Sequence, residues 1–206
     1  MTGEIRTVAV CGAAGTMGAG IAIVATRAGY DTIAYDLSED GLARARADTE
    51  KFFDRSVERG RMSAEDRDAA VGRLKATTSL EDLAAADLVI EAVYEDIAIK
   101  KELMGRLGAI CPAHTVFASN TSTLSITEIA SGSGRDDRVV GLHFCLPAQL
   151  MKLVEVSPGV NTAPETLAKA WAWCEAAGQK PVETQDKPGF ILNALLVPFN
   201  NDAIRA

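Results

Sequence analysis

The segment Gly12-Ala13-Ala14-Gly15-Thr16-Met17-Gly18 limits the fold more than any other stretch of the chain. It follows an apolar run, Thr7–Cys11, and opens a helical pattern over Thr16–Ala28. Strand, glycine turn and helix in that order aim backbone N–H groups and a positive helix end at one point, where a pyrophosphate can sit. Gly12, Gly15, Thr16, Met17 and Gly18 are the candidate contacts. Asp36 closes the second apolar run, Thr32–Tyr35, 21 residues after Gly15. A carboxylate there accepts ribose hydroxyl hydrogens and repels a 2′-phosphate, so NAD is expected over NADP. The spacing G-x-x-G-x-x-G is one residue longer than the common G-x-G-x-x-G, and the alternative is a tight strand–helix turn without a ligand.

Composition narrows the rest. The 206 residues carry 21 Lys+Arg against 28 Asp+Glu, a net charge of -7, which disfavours nucleic-acid and anionic-membrane partners. Thr7 to Thr26 is an uncharged run of 20 residues, the length of a membrane span, but its glycines read better as strand, turn and buried helix. Cys11, Cys111, Cys145 and Cys174 lie far apart. They indicate neither a metal site nor a disulfide framework, and a reducing, cytoplasmic setting is expected.

Apolar runs alternate with helical patterns to Thr184, as in a doubly wound α/β sheet. Further strands are expected at Leu88–Glu91, Val116–Ser119, Val139–His143, Leu153–Val156 and Pro181–Thr184. Helices are expected at Ala98–Ile110, Ser125–Ser131 and Pro164–Ala177. Patterns at Leu42–Gly60 and Ser63–Leu74 predict a projecting helical hairpin over 42–75. The first domain is thus expected to span 1–187. Phe190–Arg205 reads as an apolar helix, taken as the start of a second, helical domain over 188–206 that is otherwise absent.

Only two histidines occur. His143 ends one predicted strand and Glu155 lies in the next, Leu153-Val154-Glu155-Val156. A carboxylate in so apolar a strand needs a partner. Paired with His143, it fixes the tautomer and balances the imidazolium, which suits a general base near neutral pH. The alternative is a structural histidine and a glutamate satisfied by backbone. Ser119-Asn120-Thr121-Ser122-Thr123 follows another strand end, where it either holds substrate and nicotinamide or caps the next helix. His114 reads as a surface residue.

Together these segments resemble the L-3-hydroxyacyl-CoA dehydrogenase family, specifically the N-terminal NAD-binding domain of its 3-hydroxybutyryl-CoA dehydrogenase-like members. The likeness is carried by Gly15-Thr16-Met17-Gly18-Ala19-Gly20, Ile90-Glu91-Ala92-Val93-Tyr94-Glu95-Asp96, Ala118-Ser119-Asn120-Thr121-Ser122, Gly141-Leu142-His143-Phe144 and Asp186-Lys187-Pro188-Gly189-Phe190. The resemblance implies a Rossmann-type, mostly parallel sheet and NAD-dependent interconversion of an L-3-hydroxyacyl-CoA and its 3-oxo form. It implies His143 and Glu155 as the catalytic pair, with Ser122 and Asn193 at the substrate, and Glu95, Lys100 and Asn120 on the nicotinamide side. Arg59 takes the place of a basic residue at the coenzyme A nucleotide. With Lys51 and Arg55 it forms an i, i+4, i+8 stripe that either holds phosphates or is a solvated face. A homodimer is implied as well. Leu146 departs from the family, which has a substrate-binding Asn there. That opens alternatives: an acyl-carrier-protein thioester or small hydroxy acid as substrate, or a non-catalytic NAD(H)-binding module.

Overall fold

A computed structural model describes residues 4–205. Eight strands form one sheet in the order β3-β2-β1-β4-β5-β6-β7-β8. They are β1 (Thr7–Cys11), β2 (Asp31–Tyr35), β3 (Leu74–Thr77), β4 (Leu88–Glu91), β5 (Val116–Ser119), β6 (Val139–Phe144), β7 (Leu153–Pro158) and β8 (Lys180–Glu183). Neighbours run parallel except β6 and β7, so β7 and β8 oppose the first six. Strand order reverses between β1 and β4, and in open α/β sheets the ligand crevice lies outside the strand C-termini at such a point.

Side chains in β1 alternate between two cores. Val8 and Val10 face α1 (Thr16–Arg27) and α6 (Pro164–Ala176), while Ala9 and Cys11 face α4 (Ile97–Ile110) and α5 (Ile126–Ala130). A strand covered on both faces needs an unbroken apolar run, which TVAVC supplies. Helix α1 is buried from Gly20 through Thr26. The uncharged run from Thr7 to Thr26 is therefore strand plus core helix. Among the described residues, no helix is long and apolar enough to cross a membrane.

The hairpin differs from expectation in two ways. Helix α2 spans Glu39–Glu58, three residues earlier than the apolar pattern suggests, because Ser38 caps it by accepting from Gly41 N at 3.0 Å. Helix α3 ends at Gly72, and Leu74–Thr77 is a strand paired with β2, not the end of a helix. Only Leu74 of that edge strand is buried, so no alternating pattern announces it. Phe53 of α2 packs with Ile23 of α1 and with Ala70 and Val71 of α3. The final helix, α7, begins at Leu192 rather than Phe190, since Gly189 (φ 82) and Phe190 (φ 47) are both left-handed.

Phe53 is wholly buried in this satellite cluster. Phe53→Ala is expected to lower stability by about 3–5 kcal/mol, measured by urea unfolding. Amide exchange should rise in α2 and α3 before it rises in the sheet.

Candidate active site

The phosphate loop is shaped by close backbone approach. Gly12 has φ 78, and a Cβ there would lie 2.6 Å from Ala92 O. A Cβ on Gly18 would lie 2.2 Å from Gly12 O. These two glycines let the turn form and let helix pack on strand. Gly15 stands at the N-cap of α1 and no side chain caps that helix. The exposed helix start is thus a cradle of N–H groups and fits a pyrophosphate. The longer spacing has a use: Ala14 N donates to Asp36 Oδ2 at 3.1 Å, tying the loop to the end of β2. Asp36 Oδ1 accepts from Ser38 N at 3.1 Å, so its ribose-binding capacity lies in the remaining lone pairs.

The ends of β4 and β5 are joined through a carboxylate to which the motifs give no role of its own. Glu91 ends β4 fully buried. Lys100, 1% exposed, donates to both of its oxygens at 2.9 and 2.8 Å. Ser119 Oγ donates to Glu91 as well. Lys100 also stands 3.3 Å from Glu95 Oε2. So buried a lysine is held between Glu91 and Glu95 and fixes the two carboxylates relative to each other. Glu95 Oε1 accepts from Thr121 Oγ1 at 2.5 Å, Ser122 N at 2.9 Å and Thr123 N at 3.2 Å. Burial pushes the Glu95 carboxyl up, but the Thr121 and Ser122 hydrogen bonds and the Lys100 charge outweigh it and hold it below the usual range. The signal for Glu91 was present: a lone carboxylate closing an apolar LVIE run, with Lys100 nine residues on.

His143 and Glu155 are directly opposite in the antiparallel β6–β7 pair, so their side chains share a face. His143 Nδ1 lies 2.7 Å from Glu155 Oε2, with Glu155 2% exposed. An ionised carboxylate only accepts, so against such a Glu155 it is Nδ1 that donates, and the contact makes no use of Nε2. Asn120 Oδ1 accepts from Phe144 N at 2.9 Å, joining the end of β5 to that of β6. Among the described residues, His143 Nε2, Ser122 Oγ, the Asn193 amide and Asn120 Nδ2 make no hydrogen bond within the chain. Leu146, three residues past His143, is 62% exposed.

Lys51, Arg55 and Arg59 are exposed and lie well down α2, roughly 20–30 Å from its start at 1.5 Å per residue. Among the described residues, no ion pair or hydrogen bond joins them to another element. Asp54, one possible neutraliser of the stripe, pairs instead with Arg67 at 2.9 Å. His114 is a surface residue held by Asp87 at 3.0 Å. The four cysteines are free and buried, and burial pushes the Cys174 thiol up to about 12.

Asp186 is a further carboxylate to which the sequence motifs give no separate role. It caps α5, accepting from Ile126 N at 2.7 Å and from Thr127 N at 2.8 Å, and from the Ser125 and Thr127 hydroxyls. Ser125 itself accepts from Glu128 N, so the side-chain caps of α5 come from Ser125 and Asp186 and not from the stretch Ser119–Thr123.

The family model described as 3-hydroxyacyl-CoA dehydrogenase, NAD binding domain, matches residues 7–187. A probable 3-hydroxybutyryl-CoA dehydrogenase of Bacillus subtilis is 41% identical over 98% of this chain and 70% of its own length. A 3-hydroxyadipyl-CoA dehydrogenase of Escherichia coli is 43% identical over 98% of this chain, which spans only 42% of that relative. The crystal structure of an Escherichia coli 3-hydroxybutyryl-CoA dehydrogenase superposes with a TM-score of 0.95 at 42% identity, covering 98% of this chain and 43% of that one.

Asp186 supplies a test of this carboxylate-built frame. Burial raises its carboxyl, but the Thr127, Ile126 and Ser125 hydrogen bonds prevail and hold it below the ordinary range. A lowered folded value means stabilisation that is complete above the unfolded pKa of about 3.9 and lost as pH falls through the folded one. Asp186→Ala is expected to cost about 1–2 kcal/mol at pH 7. The gap between parent and variant in urea unfolding should shrink below about pH 4.

Proposed function

The chain belongs to the 3-hydroxyacyl-CoA dehydrogenase family, in its NAD-binding domain, and from that membership we propose that it takes part in oxidising an L-3-hydroxyacyl-CoA to the 3-oxoacyl-CoA, or in the reverse reduction. The observation that carries this reading is the His143–Glu155 contact of 2.7 Å, made through Nδ1 so that Nε2 has no partner among the described residues. Bound NAD supplies the hydride acceptor at its nicotinamide. His143 Nε2 removes the proton of the 3-hydroxyl as the C3 hydrogen leaves with its electron pair. The positive charge then on the imidazole faces the Glu155 carboxylate, which holds the ring and its tautomer. Ser122 Oγ and the Asn193 amide orient the thioester end. Gly12, Gly15, Thr16, Met17 and Gly18 hold the pyrophosphate, Asp36 the adenosine ribose, and Glu95 and Asn120 the nicotinamide side.

The stripe of Lys51, Arg55 and Arg59 is assigned to the phosphates of the coenzyme A nucleotide. The three cations are exposed, and no carboxylate pairs with them among the described residues, which leaves them open to phosphates. We assign 1–187 to the cofactor domain and 188–206 to the first helix of a second. Helix α7 buries none of its residues and exposes Leu195, Val197 and Phe199, as a helix at a domain or homodimer contact would. The free, buried thiols suit a reducing compartment such as the cytoplasm.

The direct assay is NADH oxidation with a panel of 3-oxoacyl-CoA thioesters, and no turnover of any of them would remove the reading. His143→Gln is expected to lower kcat by about 10²–10⁴-fold with NADH affinity nearly unchanged. Full activity in that variant would take the pair out of the mechanism. NADH should bind more tightly than NADPH in a fluorescence titration, and Asp36→Ala should narrow the difference.

A further inference from the structure

Glu155 divides its carboxylate between two elements. Oε2 meets His143 Nδ1 at 2.7 Å, while Oε1 accepts from Ile191 N at 2.9 Å and Leu192 N at 2.8 Å. Those N–H groups belong to the start of α7, whose first residue is Leu192. The first turn of a helix leaves N–H groups without intrahelical partners, and an N-cap Ser, Thr, Asp or Asn commonly satisfies one. Here the position before Leu192 is Ile191, whose side chain has no acceptor. Glu155, from a strand 36 residues earlier, takes that part. Phe190 adds a second contact: its ring centroid lies 5.7 Å from that of His143, and its left-handed backbone, φ 47, turns the chain so that both contacts form at once.

We propose that the start of α7 is a positioning element for His143, acting through Glu155. By occupying Oε1 with two donors it stops the carboxylate from rotating and reserves Oε2 for the imidazole. That holds His143 as the Nδ1–H tautomer, with Nε2 bare toward the substrate hydroxyl. Ile191 and Leu192 act through their backbone and Phe190 through its ring, none of them touching the reacting atoms. The proposal rests on the general-base reading of His143 for its meaning, but not for its measurement.

The test uses nitrogen-15 NMR of the imidazoles in the full 206-residue chain at pH 8. With only two histidines present, His114→Gln assigns the His143 signals. The parent is expected to show one tautomer. Leu192→Pro deletes one donor at the first helical position, where proline is tolerated, while Leu192→Ala keeps the N–H. Mixed tautomers are expected in Leu192→Pro, and the parent spectrum in Leu192→Ala. A chain ending at Phe190 loses both donors and, since α7 buries no residue, keeps its core; it should shift further toward the mixture. It also decides the matter if Leu192→Pro does not fold. Unchanged tautomer signals in the shortened chain, or an equal change in Leu192→Ala, would overturn the proposal. In turnover, Leu192→Pro should lower kcat about ten-fold or more without changing NADH affinity, short of the roughly 10⁴-fold that a wrong tautomer costs a serine triad. A tautomer change in a chain that turns over no 3-oxoacyl thioester leaves the positioning role standing and removes only the dehydrogenase reading.

Discussion

The buried ion pair between Glu91 and Lys100 is the contact on which the site depends. Both side chains are almost completely out of water, which is costly for each alone. The arrangement is tolerable because the charges meet at 2.8 Å and because Ser119 Oγ and Val93 N also donate to Glu91. Loss of one partner from such a pair typically costs about 3–5 kcal/mol, since the other charge is stranded. The pair lies where β4 sits between β1 and β5, so it fixes the loops leaving β4 and β5 together. Lys100 carries the constraint one step further, to Glu95, and Glu95 to the backbone of Ser122 and Thr123.

The same device recurs around the crevice. Asp36 ties the glycine loop to β2, Glu155 ties His143 to α7, and Asp186 ties the segment before α7 to α5. In each case a carboxylate accepts backbone N–H groups of an element distant in sequence. Loops that leave parallel strands in opposite directions have no ladder to join them, and a two-oxygen acceptor is a compact way to do it. Part of the excess negative charge is therefore structural, spent on holding loops in register.

The central sheet was legible because its strands are buried on both faces and read as unbroken apolar runs. The phosphate loop was legible because glycine is needed where a Cβ would strike Ala92 O or Gly12 O. Strand β3 was not, since an edge strand with one buried residue carries no period. Lys100 was placed near the cofactor by resemblance, but its burial depends on Glu91, a contact between a strand end and a helix that no local pattern encodes. The Glu155 contacts to Ile191 and Leu192 were hidden for a different reason: they involve backbone donors, which every residue has. Sequence shows which side chains are unusual, and here the missing side-chain cap at Ile191 was the only trace.

Charge also constrains how a dinucleotide is received. No lysine or arginine lies between Gly12 and Thr26, and Asp36 stands against the loop. A pyrophosphate at the start of α1 therefore meets backbone N–H dipoles rather than a local cation. Such donors cannot follow a displaced ligand as a flexible lysine does, so affinity at this loop would depend on the positions of Gly12, Gly15 and Gly18. The same arrangement makes discrimination steep. Among the described residues no ion pair offsets Asp36, so, if the ribose is held there as proposed, a third phosphate on it would meet an uncompensated carboxylate in a partly desolvated corner, where like charges repel more strongly than in water. On the proposed reading, the side chain that anchors the loop is also the one that would exclude the extra phosphate.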